Sequence, residues 1–110
     1  MAFAQGDILV LPFPYSDQLA EKRRPALVVS KPALERTHGL IWVAMITSHR
    51  GQPRPDDVVI TQKRKAGLPG ASLIRPSKLA TIEPARVVRK AGAVSRADLT
   101  AALNAIAKYL

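Results

Sequence analysis

Short apolar runs alternate along the chain with polar segments that contain Pro or Gly. The runs have the length of strands, include β-branched residues and are bounded by turn-forming residues, which is a pattern typical of β-strands. It predicts six strands: ILVLPF (8–13), PALVVS (25–30), LIWVAMITS (40–48), VVIT (58–61), SLIRPSKLATI (72–82) and ARVVRKAGAV (85–94). The fifth is expected to be interrupted at Pro76, because Pro donates no hydrogen bond to a sheet.

One clear helix is predicted, at the C-terminus. Ser95 is a good N-cap residue, and Asp98 three positions later resembles the acid of a capping box. Apolar residues recur there at helical spacing and predict one apolar face: Leu99, Ala102, Leu103, Ile106 and Leu110. The segment 31–39 could hold one helical turn, while 14–24, 49–57 and 62–71 are predicted to be loops.

Several short strands followed by a terminal helix predict a mainly β (α+β) protein. The expected architecture is a small, bent antiparallel barrel or sheet with a C-terminal α-helix packed against it. The 110 residues contain no internal repeat and no long linker, so a single domain over residues 1–110 is predicted.

The strong positive charge predicts an anionic partner. Lys and Arg number 17 against 8 Asp and Glu, which gives a formal charge of +9 and a pI near 10.7. Nucleic acid, a membrane surface and an acidic protein are all partners of this kind. No apolar run approaches the ~20 residues of a membrane span, and the N-terminus lacks the features of a secretory signal. A cytoplasmic protein without membrane association is therefore expected.

No metal site and no cofactor are expected. The chain has no Cys, and no acidic residue lies at ligand spacing from His38 or His49. Asp56 and Asp57 are neighbours, and neighbours in an extended segment point to opposite sides. A structural role in a loop is therefore favoured for this pair over a metal site.

Basic and hydroxyl residues stand at the ends or interruptions of three predicted strands. An Arg fork suits phosphate because it donates two parallel hydrogen bonds. If the strand ends meet in the folded sheet, these side chains form a cationic pocket lined by hydroxyls. Taken singly, each residue is better explained as a solvated strand end. The candidates are Arg23, Arg24, Thr47, Ser48, His49, Arg50, Arg75, Ser77 and Lys78.

Three segments, 6–30, 42–48 and 72–95, resemble the MazF/PemK family of toxin endoribonucleases, in the family's order. The shared motifs are an opening Gly-Asp before an apolar strand, an Arg-Arg-Pro before a Val-rich strand that ends in Ser, a hydroxyl pair after the third strand, and a late Ser-x-x-Arg segment that runs on to KLATI. The resemblance implies a homodimer of SH3-like, CcdB/MazF-like barrels that cleaves single-stranded RNA without a metal. It also implies an antitoxin that binds the dimer and blocks the RNA groove.

The resemblance also implies roles for particular residues. Arg24 matches the arginine that stabilises the scissile phosphate or protonates the leaving group. Thr47 matches the family's hydroxyl position, with Ser48 beside it. Arg75 matches an arginine that is catalytic in the PemK-like branch. Apart from the resemblance, the basic and hydroxyl residues at and near these strand ends are expected to bind the substrate: Lys22, Arg23, Ser48, His49, Ser77 and Lys78.

The general base is left open by two departures from the family. The PemK-like branch has an Asp where this chain has Ser77, and the MazF-like branch has a Glu where strict spacing gives Leu19. Glu21, two residues along, is the preferred candidate for the base, and His49 is the alternative, with an ordinary pKa of roughly 6.5.

Two rival functions remain open at this stage. One is a catalytically weak RNA- or protein-binding module, and the other is a toxin that inhibits a protein target such as a topoisomerase. Tyr15 and Trp42 are the main candidates for stacking on bases, although Trp42 is expected in the core.

Overall fold

The computed structural model describes residues 2–12 and 23–110. In this part of the chain six strands form one antiparallel sheet, curled into a half-barrel, in the order β4-β5-β3-β2-β1-β6. The strands are β1 (Asp7–Pro12), β2 (Arg23–Val28), β3 (Ile41–Ser48), β4 (Val58–Val59), β5 (Ser72–Ile82) and β6 (Arg89–Ala93). The helices are α1 (Pro32–His38), α2 (Lys63–Ala66) and α3 (Arg96–Ala107), with a 3₁₀ turn at Pro84–Arg86. The predicted fold class is confirmed.

The sheet is apolar on both faces. Because side chains alternate along a strand, Leu27 and Ile46 contribute to one core, which we call the helix-side core since Leu99 and Leu103 of α3 pack against it. The core on the other face of the sheet consists of residues from β1, β2, β3 and β5: Leu9, Leu11, Ala26, Val28, Ile41, Val43, Ala80 and Ile82. The near-continuous apolar runs of β1, β2 and β3 follow from this burial on both faces.

The predicted interruption of the fifth strand is a bulge. Met45 lies opposite Arg75 and its neighbour Ala44 lies opposite Leu79, so Pro76–Lys78 are three extra residues on β5. Pro76 is buried, whereas Ser77 and Lys78 are exposed. The strand continues on both sides of the bulge, and β5 pairs with β3 from Ser72 to Arg75 and again from Leu79 to Ile82.

The start of α3 departs from the predicted capping box. Ser95 Oγ accepts a hydrogen bond from Asp98 N at 3.2 Å, as an N-cap residue should. The Asp98 carboxylate, however, accepts hydrogen bonds from Thr61 N at 2.9 Å and Thr61 Oγ1 at 3.0 Å. Asp is one methylene shorter than the Glu of a capping box, and this side chain fastens the helix to the segment after β4 instead. Leu110 lies beyond the helix and is exposed.

Several predicted extents are wrong. The predicted loop 62–71 contains the short helix α2, and β2 begins at Arg23, inside the predicted loop 14–24. The predicted strand 58–61 is shorter, and the last strand begins only at Arg89 because the 3₁₀ turn precedes it. The α2 segment lies close against β6: a Cβ on Gly67 would stand 2.0 Å from the carbonyl oxygen of Ala91. Over the described residues, none of the helices is both long enough and apolar enough to span a membrane.

Candidate active site

Strand register brings three of the candidate catalytic residues onto one face of the sheet. Met45 on β3 lies opposite Ala26 on β2 and Arg75 on β5. Arg24 precedes Ala26 by two residues and Thr47 follows Met45 by two, so their side chains project on the same side. Side chains that lie opposite on paired strands have Cβ atoms about 5 Å apart. The three side chains therefore meet at the end of β3.

A cavity of about 700 Å³ lies at this meeting point. We call it the arginine pocket. Among the described residues, its lining combines guanidinium, hydroxyl and amide groups without a carboxylate: Arg24, Thr47, Ser48, Arg50, Gln52, Arg54 and Arg75. Several guanidinium groups around one open cavity make an environment that favours an anion, because their positive fields add.

The other predicted site residues lie elsewhere or outside the described part of the chain. His49 is half-buried and its backbone N–H donates to Ala71 O at 3.0 Å, but the residue does not line the pocket. Exposed Arg23 begins β2, and Ser77 and Lys78 lie in the β5 bulge. Glu21 and Lys22, like Tyr15, lie outside the described residues. The roles of all these residues in RNA binding or catalysis stay predictions.

Arg24 carries a polar atom that has no partner within the described ranges. Its Nε is shielded from solvent and makes no hydrogen bond there. A buried donor without an acceptor costs about 1–3 kcal/mol, so such a group is rare unless something else uses it. An anion bound in the arginine pocket offers an acceptor to this guanidinium.

Asp57 binds Arg75, a contact that was not predicted from the sequence. Its Oδ1 accepts from Arg75 Nε at 3.2 Å and its Oδ2 from Arg75 Nη2 at 3.0 Å. The carboxylate is almost fully buried, with 1% of the side chain exposed. Val58 lies opposite Ile74, and continuing that register by one residue sets Asp57 beside Arg75. Pairing the predicted VVIT strand with the LIR segment could have revealed the contact.

Asp56 points the other way, as the sequence predicted. Its φ of 70° turns the chain, and its carboxylate accepts hydrogen bonds from Tyr109 Oη at 2.6 Å and from Lys108 Nζ. These two bonds lower the pKa of Asp56. The carboxylate in turn raises the pKa values of Lys108 and Tyr109, because it stabilises their protonated forms. One tight turn therefore joins the end of α3 to the edge of the arginine pocket.

An apolar groove of about 450 Å³ forms a second surface, on the helix side of the sheet. Trp42, which was predicted to be in the core, is half exposed here because α3 does not cover this part of β3. We call it the Trp42 groove. The described residues that line it are all uncharged: Val29, Trp42, Leu79, Ala80, Thr81, Leu103, Ile106 and Leu110.

Comparison with known families adds the decisive observation. A family model described as PemK-like, MazF-like toxin of type II toxin–antitoxin system matches residues 4–110. The chain belongs to the PemK/MazF toxin family. The resemblance in the three sequence segments is thereby confirmed. No curated protein matches the chain.

Solved structures show the PemK/MazF fold at low sequence identity. MazF from Deinococcus radiodurans is 19% identical, with a TM-score of 0.78 over 99% of this chain and 96% of that chain. An endoribonuclease from Mycobacterial species, in complex with its cognate antitoxin, is 19% identical, with a TM-score of 0.77 over 97% of this chain and 93% of that chain. The Mycobacterium tuberculosis toxin MazF-mt6 is 20% identical, with a TM-score of 0.72 over 93% of each chain.

Proposed function

We propose that this PemK/MazF family member is a metal-independent endoribonuclease that cleaves single-stranded RNA in the cytoplasm. The observation that carries the proposal is the convergence of Arg24, Thr47 and Arg75 on one strongly cationic pocket. Family membership agrees with it, and structural neighbours include proteins named as endoribonucleases. Single strands fit best because their unstacked bases can be read and the 2′-hydroxyl can reach in-line geometry.

The proposed chemistry uses the substrate's own nucleophile. The 2′-oxygen bonds to phosphorus as the bond from phosphorus to the 5′-oxygen breaks, which leaves a 2′,3′-cyclic phosphate and a 5′-hydroxyl. The proton of the 2′-hydroxyl passes to a general base, and the 5′-oxygen receives a proton as it leaves. Arg24 and Arg75 stabilise the charge that develops on the phosphate oxygens, and Thr47 donates a hydrogen bond to them.

The general base is proposed to be Glu21, with His49 as the alternative. His49 does not line the pocket, and Glu21 lies outside the described residues. If Glu21→Ala abolishes cleavage and His49→Ala does not, Glu21 is the base; the reverse result assigns the role to His49.

Cleavage of a long natural transcript in the presence of a chelator tests the proposal. The expected result is a discrete set of fragments with 5′-hydroxyl and 2′,3′-cyclic phosphate ends, and a matched 2′-deoxy oligonucleotide should stay intact. Sequencing the 5′ ends then reveals the preferred motif. An antitoxin is the proposed partner, as in the mycobacterial complex, and adding it should stop the reaction. RNA binding without cleavage would instead support a binding module, and neither binding nor cleavage would favour a protein target.

A homodimer is proposed as the active form, with the Trp42 groove as its interface. Because every groove-lining residue in the described part of the chain is uncharged, two chains of charge +9 can meet there without placing these linings in like-charge contact. Sedimentation velocity at micromolar concentration should show a dimer. Trp42→Asp should shift it to monomer, whereas Val88→Asp, at an exposed apolar residue outside the groove, should not. A monomeric native protein would contradict the dimer and would leave the antitoxin as the occupant to test.

A further inference from the structure

We propose that Asp57 is a positioning residue for RNA cleavage, which acts by aiming the guanidinium of Arg75 into the arginine pocket. The inference rests on the proposed ribonuclease function and extends it to a residue that lies behind the pocket lining. Asp57 would not touch the substrate; its effect would pass through Arg75.

The contact with Asp57 uses only one edge of the Arg75 guanidinium group. An Arg side chain has five N–H donors in a planar fork. Asp57 takes the side-on edge, through Nε at 3.2 Å and Nη2 at 3.0 Å. The end-on edge, with one N–H on Nη1 and one on Nη2, has no partner among residues 2–12 and 23–110, and its two parallel bonds match two oxygens of a phosphodiester. Arg75 is therefore able to hold Asp57 and a phosphate simultaneously.

The carboxylate itself is held firmly. Asp57 Oδ2 accepts a further hydrogen bond from Arg54 N at 2.7 Å, and Asp57 N donates to Arg54 O at 3.1 Å. These two bonds close a four-residue turn, and 1% of the Asp57 side chain is exposed. A buried carboxylate in a closed turn has one orientation, so it fixes the plane of the guanidinium that it binds. This pre-organises the pocket, because Arg75 loses little further side-chain freedom when substrate arrives.

The negative charge of Asp57 allows its effect on the orientation of Arg75 to be distinguished from an effect on the electrostatic attraction of RNA. Asp57 cancels one positive charge next to the pocket, so its loss should leave RNA binding equal or tighter. The loss should also free the guanidinium to rotate, and a reacting group displaced by about 1 Å can cost roughly 100-fold in rate. The signature of positioning is therefore a fall in kcat without a rise in KM.

Asp57→Asn, with Asp56→Asn as its matched control, tests the inference on a labelled single-stranded RNA that the native protein cleaves. We expect kcat to fall roughly 10- to 100-fold in Asp57→Asn with KM unchanged or lower. Asp56→Asn removes the neighbouring carboxylate, which binds Lys108 and Tyr109 instead, and should cleave normally. Because breaking a buried ion pair can unfold a protein, Asp57→Glu serves as a second variant. It keeps the charge, shifts the carboxylate by one methylene, and should also lower kcat.

A double-mutant cycle with Arg75→Ala shows whether Asp57 acts through Arg75. We expect Asp57→Asn to have no further effect on kcat once Arg75 is gone; Arg75→Lys replaces Arg75→Ala if the latter is too slow to measure. An equal loss in both backgrounds, or normal kcat in Asp57→Asn and Asp57→Glu, overturns the inference. If the native protein itself fails to cleave RNA, it is the proposed function that is wrong.

Discussion

Arg24→Ala is expected to lower kcat for RNA cleavage by about 100- to 1,000-fold, which is the typical cost of removing one preorganised donor from a developing anion. Arg24 lines the arginine pocket, and its guanidinium includes a shielded Nε without a partner in the described parts of the chain. The substitution removes the positive charge and also the two parallel N–H donors of the guanidinium group. Since no described residue accepts a hydrogen bond from this Nε, we expect the melting temperature to change little.

Two other variants make the result specific. Arg24→Lys keeps the charge but lacks the two parallel N–H groups, so its kcat should lie between those of the native protein and Arg24→Ala. Arg96→Ala removes one positive charge from the exposed start of α3 and should cleave at the native rate. Initial rates on one RNA at fixed ionic strength provide the comparison, because the phosphate contribution to binding depends on salt. Native kcat in Arg24→Ala would remove this residue from the site.

Gly67→Ala is expected to cost about 3 kcal/mol or more of unfolding free energy, the sum of backbone strain and overpacking. Gly67 ends α2 at a φ of 73°, and a Cβ there would stand 2.0 Å from Ala91 O and 2.6 Å from Ala91 C. Both are backbone atoms, so β6 must move away from α2. Chemical denaturation followed by circular dichroism measures the loss.

Gly39→Ala separates the two contributions. Gly39 ends α1 at a φ of 68°, and a Cβ there would have nothing within 4 Å. Its substitution should therefore cost only the strain of the left-handed conformation, about 1–2 kcal/mol. The difference between the two variants reports the close approach of α2 to β6. Equal losses would mean that the two backbones are not held against each other as described.

Local patterns predicted most of the strands. β1, β2 and β3 are short apolar runs bounded by turn residues, and β5 is interrupted where Pro76 stands. These signals are local, so a single sequence contains them. Lys63–Ala66 gave no such signal because α2 is one turn of mostly basic residues without an apolar face. The helix α2 lies against β6, and the sequence does not show that contact because it forms only in the folded, curled sheet.

Contacts between distant segments account for the rest. Trp42 stands in the most apolar strand, but its exposure depends on where α3 ends, which the strand pattern does not contain. The sequence predicted a cationic pocket only if the strand ends meet in the folded sheet. The register of β2, β3 and β5 does bring Arg24, Thr47 and Arg75 together. Asp57 was missed because its contact with Arg75 needs the pairing of β4 with β5.

Because β5 has three extra residues at its bulge, this one strand contributes side chains to both the arginine pocket and the Trp42 groove. Arg75 and Leu79 are an even number of positions apart, so a regular strand would present both on the same side. The odd-numbered insertion at Pro76–Lys78 reverses the alternation, and Arg75 enters the arginine pocket while Leu79 enters the Trp42 groove. The length of this insertion is therefore constrained more tightly than its composition. Deleting a single residue would oblige one half of β5 to turn over, and either the guanidinium or the apolar side chains beyond it would face the wrong way.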